Sequence, residues 1–214
     1  MRPHPTPILR LIHIDNLHVC LCRGRIHAPN FTPNDGLRYR TIHNVEVQQA
    51  RQVKPIPCGP GGVVHDYVPF YFGYLSPMML NLKTGRVPGY DEGQDPLIYL
   101  ITTCQAIRDS RTEFVFTDGH GIAAWTEYFD DLAQLDQLDW DIVYQRYWRD
   151  TDDDPDRQRR KQAEFLVHRS CDWSLIQEIA VIDEVMKSKV EQVMAAFPPK
   201  LRRAVRTQRD WYYY

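Results

Sequence analysis

The sequence predicts an α+β fold, in which strands and short helices alternate along one chain. Runs rich in β-branched and aromatic residues, at 8–13, 67–72 and 97–102, have the length and composition of strands. Segments with helical spacing or helix-capping residues lie between them. The chain has 214 residues. This size fits a single domain spanning 1–214, because cores tend to divide only beyond roughly 250–300 residues.

Composition and charge argue against several classes of protein. The formal net charge of −2 gives no overall attraction to a polyanion, so a nucleic-acid partner would need local basic patches. Five scattered cysteines without a CxxC pair argue against a zinc ribbon or a disulfide scaffold. The N-terminus does not resemble a signal peptide, and no run of roughly 18 apolar residues occurs. We therefore expect a cytoplasmic protein without a metal site or a membrane partner.

The first predicted strand, at 8–13, follows three prolines and ends on His13. A short helix running to Cys22 and closed by Gly24 comes next. His13 would then lie beside free backbone N–H groups at a helix N-terminus, a corner that suits an anionic or polar ligand. A structural histidine with its hydrogen bonds satisfied is the alternative.

Residues 25–51 lose clear periodicity and gain only a short helical pattern at 44–51. Such a long connection inside a compact domain is uncommon unless it acts as a lid or a binding element. We interpret it as a loop that folds over something, with simple disorder as the competing interpretation.

The stretch 51–79 joins a lone arginine, Arg51, to a Gly/Pro-rich loop and then to the aromatic strand at 67–72. His65 and Asp66 stand at the mouth of that strand. A flat ligand could stack on the aromatic rings, and a phosphate could approach the backbone N–H groups of the glycine loop. The alternative is a buried core strand entered by a turn.

The next predicted elements are a helix at 77–82, a strand at 97–102, a short helix at 104–108 and a strand at 114–117. The last strand ends in FTDGHG, which delivers Asp118 and His120 to a strand end. An ordinary Asp-Gly turn is the alternative interpretation.

Apolar residues recur at three- and four-residue spacing over 125–147, which predicts short helices packed on the sheet. The charged segment 146–161 is either a salt-bridged turn or a mobile loop that meets a charged partner. Glu164 follows it among apolar residues. A carboxylate there costs free energy unless it has a partner or a chemical role.

The C-terminal part contains a predicted strand at 176–182, a helix at 184–195 and a basic-aromatic segment at 205–214. Arginines interleaved with tyrosines make the end of the chain the most plausible nucleic-acid patch. The sequence contains no GxGxxG or Walker-type phosphate loop, no HExxH and no GxSxG. Most common enzyme classes are therefore unsupported by motifs.

Four blocks in the right order closely resemble the DarT family of DNA ADP-ribosyltransferase toxins: LIHIDNL, GGVVHDYVPFYFGYLSPM, FTDGH and TDDDPDRQRRKQAEFLV. The resemblance runs from about Ile8 to the C-terminal tyrosines. It implies an ADP-ribosyltransferase fold, with a split, bent central β-sheet flanked by helices. It also implies NAD⁺ as the ADP-ribose donor, single-stranded DNA as the acceptor, and a macrodomain antitoxin of the DarG type as the partner of this toxin.

The resemblance also implies roles for particular residues. Arg51 and Glu164 match the catalytic pair, and Ile12, His13, Ile14, Arg51 and Tyr71 match the NAD⁺ site. Residues 35–53 match the element that covers NAD⁺, and residues 120–164 match the loop that presents the acceptor. Met78, Arg149 and Arg157 are the expected DNA contacts.

The target base separates two branches of the family. The HDYVPFYF block and the TDDDPDRQRRKQAE block look more like the thymidine-modifying branch. The sequence therefore predicts a glycosyltransferase that moves ADP-ribose onto thymidine in single-stranded DNA, within a short sequence context. A guanosine-modifying enzyme, a catalytically silent module that binds single-stranded DNA, and transfer to RNA or protein are the alternatives.

Overall fold

The computed structural model describes residues 2–214 and confirms the predicted α+β class. The strands within this range are β1 Pro7–His13, β2 Arg25–His27, β3 Tyr67–Tyr71, β4 Leu97–Thr103, β5 Phe114–Thr117, β6 Tyr128–Phe129, β7 Glu164–His168, β8 Ser170–Asp172, β9 Glu178–Val181 and β10 Ala204–Thr207. The α-helices are α1 Asp15–Arg23, α2 Val45–Val53, α3 Pro77–Lys83, α4 Cys104–Asp109, α5 Trp140–Tyr144, α6 Arg157–Lys161 and α7 Glu184–Ala195. None of these helices is long and apolar enough to cross a bilayer.

Eight strands form one mixed sheet in the order β10-β9-β4-β1-β3-β7-β5-β6. Only β10 and β9 run parallel, and the other neighbours in this sheet are antiparallel. The two remaining strands, β2 and β8, pair with each other in a separate ribbon that the sequence patterns did not predict. The central position of β1 explains why this strand is almost entirely apolar.

The main sheet is split between β1 and β3. Strand β1 pairs with β4 along its whole length, from Pro7 to His13, but it pairs with β3 at a single position, Leu9 opposite Tyr71. The carbonyl of Pro69 in β3 accepts a hydrogen bond from Arg10, so the edge of Pro69 that faces β1 is the edge where proline has no N–H to donate. The missing N–H explains why the ladder does not continue from Leu9 towards Leu11.

The sheet buries apolar side chains on both faces, as the alternation of side chains along a strand requires. Ile8 and Ile12 of β1 belong to the larger cluster, together with helices α1 and α7. Leu9 and Leu11 point to the opposite face and pack with Tyr99 and the C-terminal Tyr212. Helix α3 covers this second cluster.

The charged segment that precedes Glu164 is a salt-bridged turn, which was one of its two interpretations. Arg159 pairs with Asp118 at 2.9 Å and with Asp156 at 2.7 Å. Arg160 pairs with three carboxylates, those of Asp139, Asp154 and Asp156. The buried Lys161 donates hydrogen bonds to the carbonyls of Val143 and Gln145 at 2.7 and 2.8 Å. These contacts anchor α6 and thereby fix where β7 begins.

One predicted feature differs from the structure. Residues 125–147 form one short α-helix, α5, preceded by a 3-10 helix at Leu132–Gln137, and the rest of this stretch is irregular apart from β6.

The C-terminal basic-aromatic segment begins with β10, and several of its side chains contact the rest of the fold, while Arg202, Arg206 and Arg209 are exposed. Arg203 donates to the carbonyls of Ile176 and Trp173, Arg206 pairs with Glu178, and Tyr212 is fully buried.

Candidate active site

A cavity of about 680 Å³ opens along the split in the sheet. Its walls come from the two strands that diverge there, from helix α2, and from the segment that precedes α2. The principal lining side chains are Arg10, Ile12, Tyr39, His43, Gln48, Arg51, His65, Pro69, Tyr71, Met78, His120 and Glu164. The absent backbone ladder between β1 and β3 therefore leaves room for a ligand.

A buried ion pair stands on the wall of this cavity. Nη1 of Arg51 donates to Oε1 of Glu164 at 3.0 Å, and Nη2 donates to Oε2 at 2.8 Å. The side chains of Arg51 and Glu164 are only 8% and 1% exposed. Such a bidentate contact is the strongest geometry for an arginine and a carboxylate, and it fixes the plane of both groups.

Local structure explains how the two partners meet although they are 113 positions apart. Arg51 lies in the last turn of α2, while Glu164 is the first residue of β7 and stands opposite Tyr71 of β3. The backbone N–H of Glu164 donates to Oγ1 of Thr117 at 3.0 Å. The N–H of Gly121 donates to Oε1 of Glu164 at 3.0 Å, and a Cβ on Gly121 would stand 3.3 Å from this oxygen, so glycine allows the close approach.

The Glu164 carboxyl is held in its ionised form. Burial alone would raise its pKa, but the Arg51 guanidinium outweighs this effect and lowers the pKa below its ordinary value. The carboxylate in turn raises the pKa of Arg51, although burial opposes this. At neutral pH the site therefore contains a fixed negative charge beside a fixed positive charge.

This pair predicts a pH-dependent contribution to stability. The folded pKa of Glu164 lies below the ordinary value of 4.5, so its stabilising effect is complete above pH 4.5 and is lost as the pH falls through the folded pKa. We expect the free energy of unfolding of the natural protein to exceed that of Glu164→Gln at pH 7, and this difference to shrink below pH 4.5. Urea titrations of both proteins at several pH values measure it. A difference that stays constant down to pH 3 would contradict an ionised carboxylate.

Neutral side chains complete the wall of the cavity. Burial lowers the pKa values of His43, His65 and His120, so these imidazoles are uncharged at pH 7. Burial also raises the pKa of Tyr71 well above 10, and the Tyr71 hydroxyl contacts the Met78 sulfur at 3.8 Å. Within residues 2–214 no three His, Cys, Asp or Glu side chains are grouped as metal ligands.

Residues 35–53 cover the cavity and are fastened to α1. Asp35 pairs with Arg23 at 2.7 Å. The backbone of Arg40 exchanges two hydrogen bonds with the Asn16 side chain, at 2.6 and 2.9 Å. Asn44 caps α2 by accepting from the N–H groups of Glu46 and Val47. Within the segment 25–51, which was predicted to fold over something, residues 35–51 thus form an ordered cover that ends in the helix carrying Arg51, whereas Arg25–His27 form β2.

The cap of α2 offers a local test of this cover. Asn44→Ala removes a cap worth about 1 kcal/mol, which predicts roughly fivefold faster hydrogen exchange in α2, since about 1.4 kcal/mol corresponds to tenfold. Asp183→Ala removes the equivalent cap from α7, where Asp183 accepts from Met186, and serves as the matched control. Its effect should be confined to α7. Unchanged exchange in α2 after Asn44→Ala would show that the cap does not hold the cover.

The structure brings together five of the expected site residues. Arg51, Glu164, Tyr71, Ile12 and Met78 line the same cavity. His13 and Ile14 line a neighbouring depression together with Asp15 and Arg40. His13 is almost fully buried there, and its Nδ1 accepts the N–H of Asp15 at 3.1 Å. The backbone N–H of Asp15 at the start of α1, which was expected to be free for a ligand, therefore donates its hydrogen bond to His13.

Two expected DNA contacts lie apart from the cavity. Neither Arg149 nor Arg157 is among its lining residues. The Arg157 guanidinium instead donates to the backbone carbonyls of Arg149 and Tyr147, at 3.1 and 2.8 Å. Arg149 is exposed beside it. Any contact of Arg149 and Arg157 with DNA would therefore lie outside the cavity.

The sequence patterns missed Arg10, which lines the cavity from β1. Alternation along a strand predicts that a charged residue points to solvent, and this pattern does not mark Arg10 as a site residue. The available signal was its setting: it stands between Leu9 and Leu11 in a strand that is apolar on both faces. A lone charge inside such a strand cannot be explained by a solvated face.

Comparisons with known proteins agree with this geometry. The family model described as "ssDNA thymidine ADP-ribosyltransferase, DarT" matches residues 9–213. A protein of Thermus sp. strain 2.9 named DNA ADP-ribosyl transferase is 40% identical over 211 residues, which cover 99% of this chain and 98% of the relative.

Solved structures of a Thermus protein superpose on the whole chain. Thermus sp. 2.9 DarT in complex with ADP-ribosylated ssDNA matches with a TM-score of 0.94 and 39% identity, covering 100% of this chain and 99% of that one. The same DarT in complex with NAD⁺ matches with a TM-score of 0.88 and 39% identity, covering 100% of both chains. The similarity therefore extends over the whole fold.

Proposed function

Because the chain belongs to the DarT family, we propose that it is an NAD⁺-dependent transferase that attaches ADP-ribose to thymidine in single-stranded DNA. The observation that carries this proposal is the buried Arg51–Glu164 pair on the wall of a cavity of about 680 Å³. The cavity is large enough for a dinucleotide and contains one fixed carboxylate.

Glu164 is suited to the step that breaks the bond between nicotinamide and ribose. As this bond breaks, its electron pair leaves with nicotinamide, and positive charge develops on the ribose ring, as in other glycosyl transfers. A carboxylate that is already ionised and held by Arg51 and Gly121 stabilises this charge without reorganising. We assign Glu164 this role, with Arg51 as the second catalytic residue.

The thymine ring nitrogen then bonds to the ribose carbon and loses its proton. Arg51 cannot accept this proton, because guanidinium pKa values exceed about 12, but it can donate hydrogen bonds to a base carbonyl that gains negative charge. The neutral imidazole of His120 lines the cavity and provides a proton acceptor. Single-stranded DNA fits this chemistry, since the reacting edge of a paired base is occupied and extruding the base costs a few kcal/mol.

The donor site that we propose consists of Ile12, His13, Ile14, Arg51 and Tyr71, beneath the cover at 35–53. Ile12, Arg51 and Tyr71 line the cavity, while His13 and Ile14 line the depression next to it. These five residues therefore extend from the carboxylate along β1 towards the far end of the strand. That direction would suit an elongated molecule such as a dinucleotide.

The acceptor strand would meet Met78 at the cavity and Arg149 and Arg157 outside it. Met78 contacts Tyr71, so a base held at Met78 would be close to the donor. In this proposal the protein is the toxin of a toxin–antitoxin pair, acts in the cytoplasm, and has a macrodomain antitoxin of the DarG type as its partner.

Mapping of adducts tests the proposed function. The protein is incubated with NAD⁺ and a pool of random single-stranded oligonucleotides, and the products are identified by mass and by sequence. We expect an ADP-ribosyl adduct on thymidine, in a restricted sequence context. Adducts on guanosine would correct the base, and a preference for matched RNA over DNA would correct the acceptor. No adduct on any strand would overturn the proposal.

A further inference from the structure

Arg10 bridges the split in the sheet. It lies in β1, and its Nη1 donates to the carbonyl of Pro69 in β3 at 2.8 Å. This contact crosses the gap where the β1–β3 ladder has stopped, one residue beyond the single pair between Leu9 and Tyr71. The guanidinium thus lies at the split and lines the cavity.

No carboxylate neutralises this guanidinium within residues 2–214. The described ion pairs do not include Arg10, and its Nε is buried without an acceptor. Burial lowers its pKa, and the neighbouring groups that interact with its charge are Tyr39, Cys20, Cys171 and the positive Arg51. The thiols and the phenol are uncharged at neutral pH, because burial raises the pKa of each. Arg10 is therefore a half-buried cation with a buried Nε and no carboxylate partner among the described residues.

A structural role alone explains this poorly. One neutral donor could make the same bond to the Pro69 carbonyl, whereas a charge that is partly withdrawn from water without a partner costs free energy. Arg51 differs in this respect, since Glu164 neutralises it. With the histidines of the cavity uncharged, Arg10 supplies the uncompensated positive charge of this wall. A site of this kind is completed by an anionic ligand that brings the missing charge.

We propose that Arg10 binds the diphosphate of the dinucleotide donor, and so closes the gap between β1 and β3 around the substrate. This inference rests on the proposed function, since it takes NAD⁺ as the ligand of the cavity. Two negative oxygens facing the free N–H groups of Arg10 would satisfy Nε and neutralise the guanidinium. Donor binding would then connect the two halves of the sheet that Pro69 keeps apart.

Calorimetric titration with ADP-ribose and with adenosine tests this assignment, because only ADP-ribose carries the diphosphate. We expect Arg10→Gln to weaken ADP-ribose binding about 10–100-fold, the loss typical of hydrogen bonds to charged groups, and to leave adenosine binding unchanged. Arg10→Lys should recover part of the loss. Arg86→Gln, which removes an exposed arginine outside the cavity lining, is the matched control and should bind ADP-ribose normally.

Three outcomes would overturn the assignment. Equal weakening of ADP-ribose and adenosine would mean that Arg10 only shapes the cavity. Unchanged ADP-ribose binding together with weaker binding of a single-stranded oligonucleotide would make Arg10 a contact for DNA phosphates. Normal ADP-ribose binding by a folded Arg10→Gln protein would also refute the assignment of Arg10 to the diphosphate. If Arg10→Gln is unfolded without ligand, Arg10→Lys is used for the comparison instead. Adduct formation by the natural protein is scored separately, so failure of the proposed function is distinguishable.

Discussion

Glu164→Gln is expected to reduce the rate of ADP-ribosyl transfer by about 10²–10³-fold, the loss typical when one group that stabilises transition-state charge is removed. The amide keeps the shape of the side chain and an oxygen that can accept the Gly121 N–H, but it carries no negative charge to face the ribose. Transfer is measured as the initial rate of adduct formation on a thymidine-containing oligonucleotide at saturating NAD⁺.

A second carboxylate provides the control for this experiment. Glu113 is exposed and pairs with His168, outside the cavity lining. Glu113→Gln should therefore leave the rate unchanged. ADP-ribose should still bind to folded Glu164→Gln protein, which separates loss of chemistry from loss of the donor site. Adduct formation at the natural rate by Glu164→Gln would remove the carboxylate from the mechanism and favour another residue as the catalytic group.

Arg51→Leu is expected to be the most destabilising single change at the site. It leaves Glu164 buried without a partner, and breaking a buried pair from one side costs about 3–5 kcal/mol. The pKa of Glu164 should then rise above its ordinary value, because burial is no longer opposed. Urea unfolding at pH 7 measures the free energy, and adduct formation should be lost in the same protein.

The double variant Arg51→Leu/Glu164→Leu separates stability from chemistry. With both charges removed together, no buried charge remains unpaired, so much of the lost free energy of unfolding should return. Transfer activity should not return. A double variant as unstable as Arg51→Leu would show that the pair contributes through contacts other than its charges.

Local signals in the sequence predicted individual elements better than their assembly. The helix that carries Arg51 was expected at 44–51 and lies at Val45–Val53, because Asn44 is a strong N-cap and the apolar spacing is helical. The strand at 97–102 was expected for its β-branched run and was found as Leu97–Thr103. Caps and apolar runs act over a few residues, so they are visible in the sequence itself.

The active-site pair lies beyond such local signals. Glu164 was notable only as a carboxylate among apolar residues, and nothing near it in the sequence names its partner. Arg51 lies in α2, which precedes β3 in the chain, and Glu164 begins β7, which pairs with β3 in the sheet. The tertiary fold therefore brings the two side chains together. Only the resemblance to a family connected the two. The C-terminal arginines carry a second kind of information that local patterns do not give: Arg203 donates to carbonyls within the fold and Arg206 pairs with Glu178, while Arg202 and Arg209 are exposed. Their predicted contact with DNA stays a prediction.

Pro69 stands at the split in the sheet where the cavity opens. On the side of β3 that faces β1, its backbone nitrogen carries no hydrogen, so the ladder gains no bond there. An ordinary residue at this position could donate that bond to the backbone of β1. A carbonyl that could otherwise pair with the backbone of β1 is thus left to a side chain, that of Arg10.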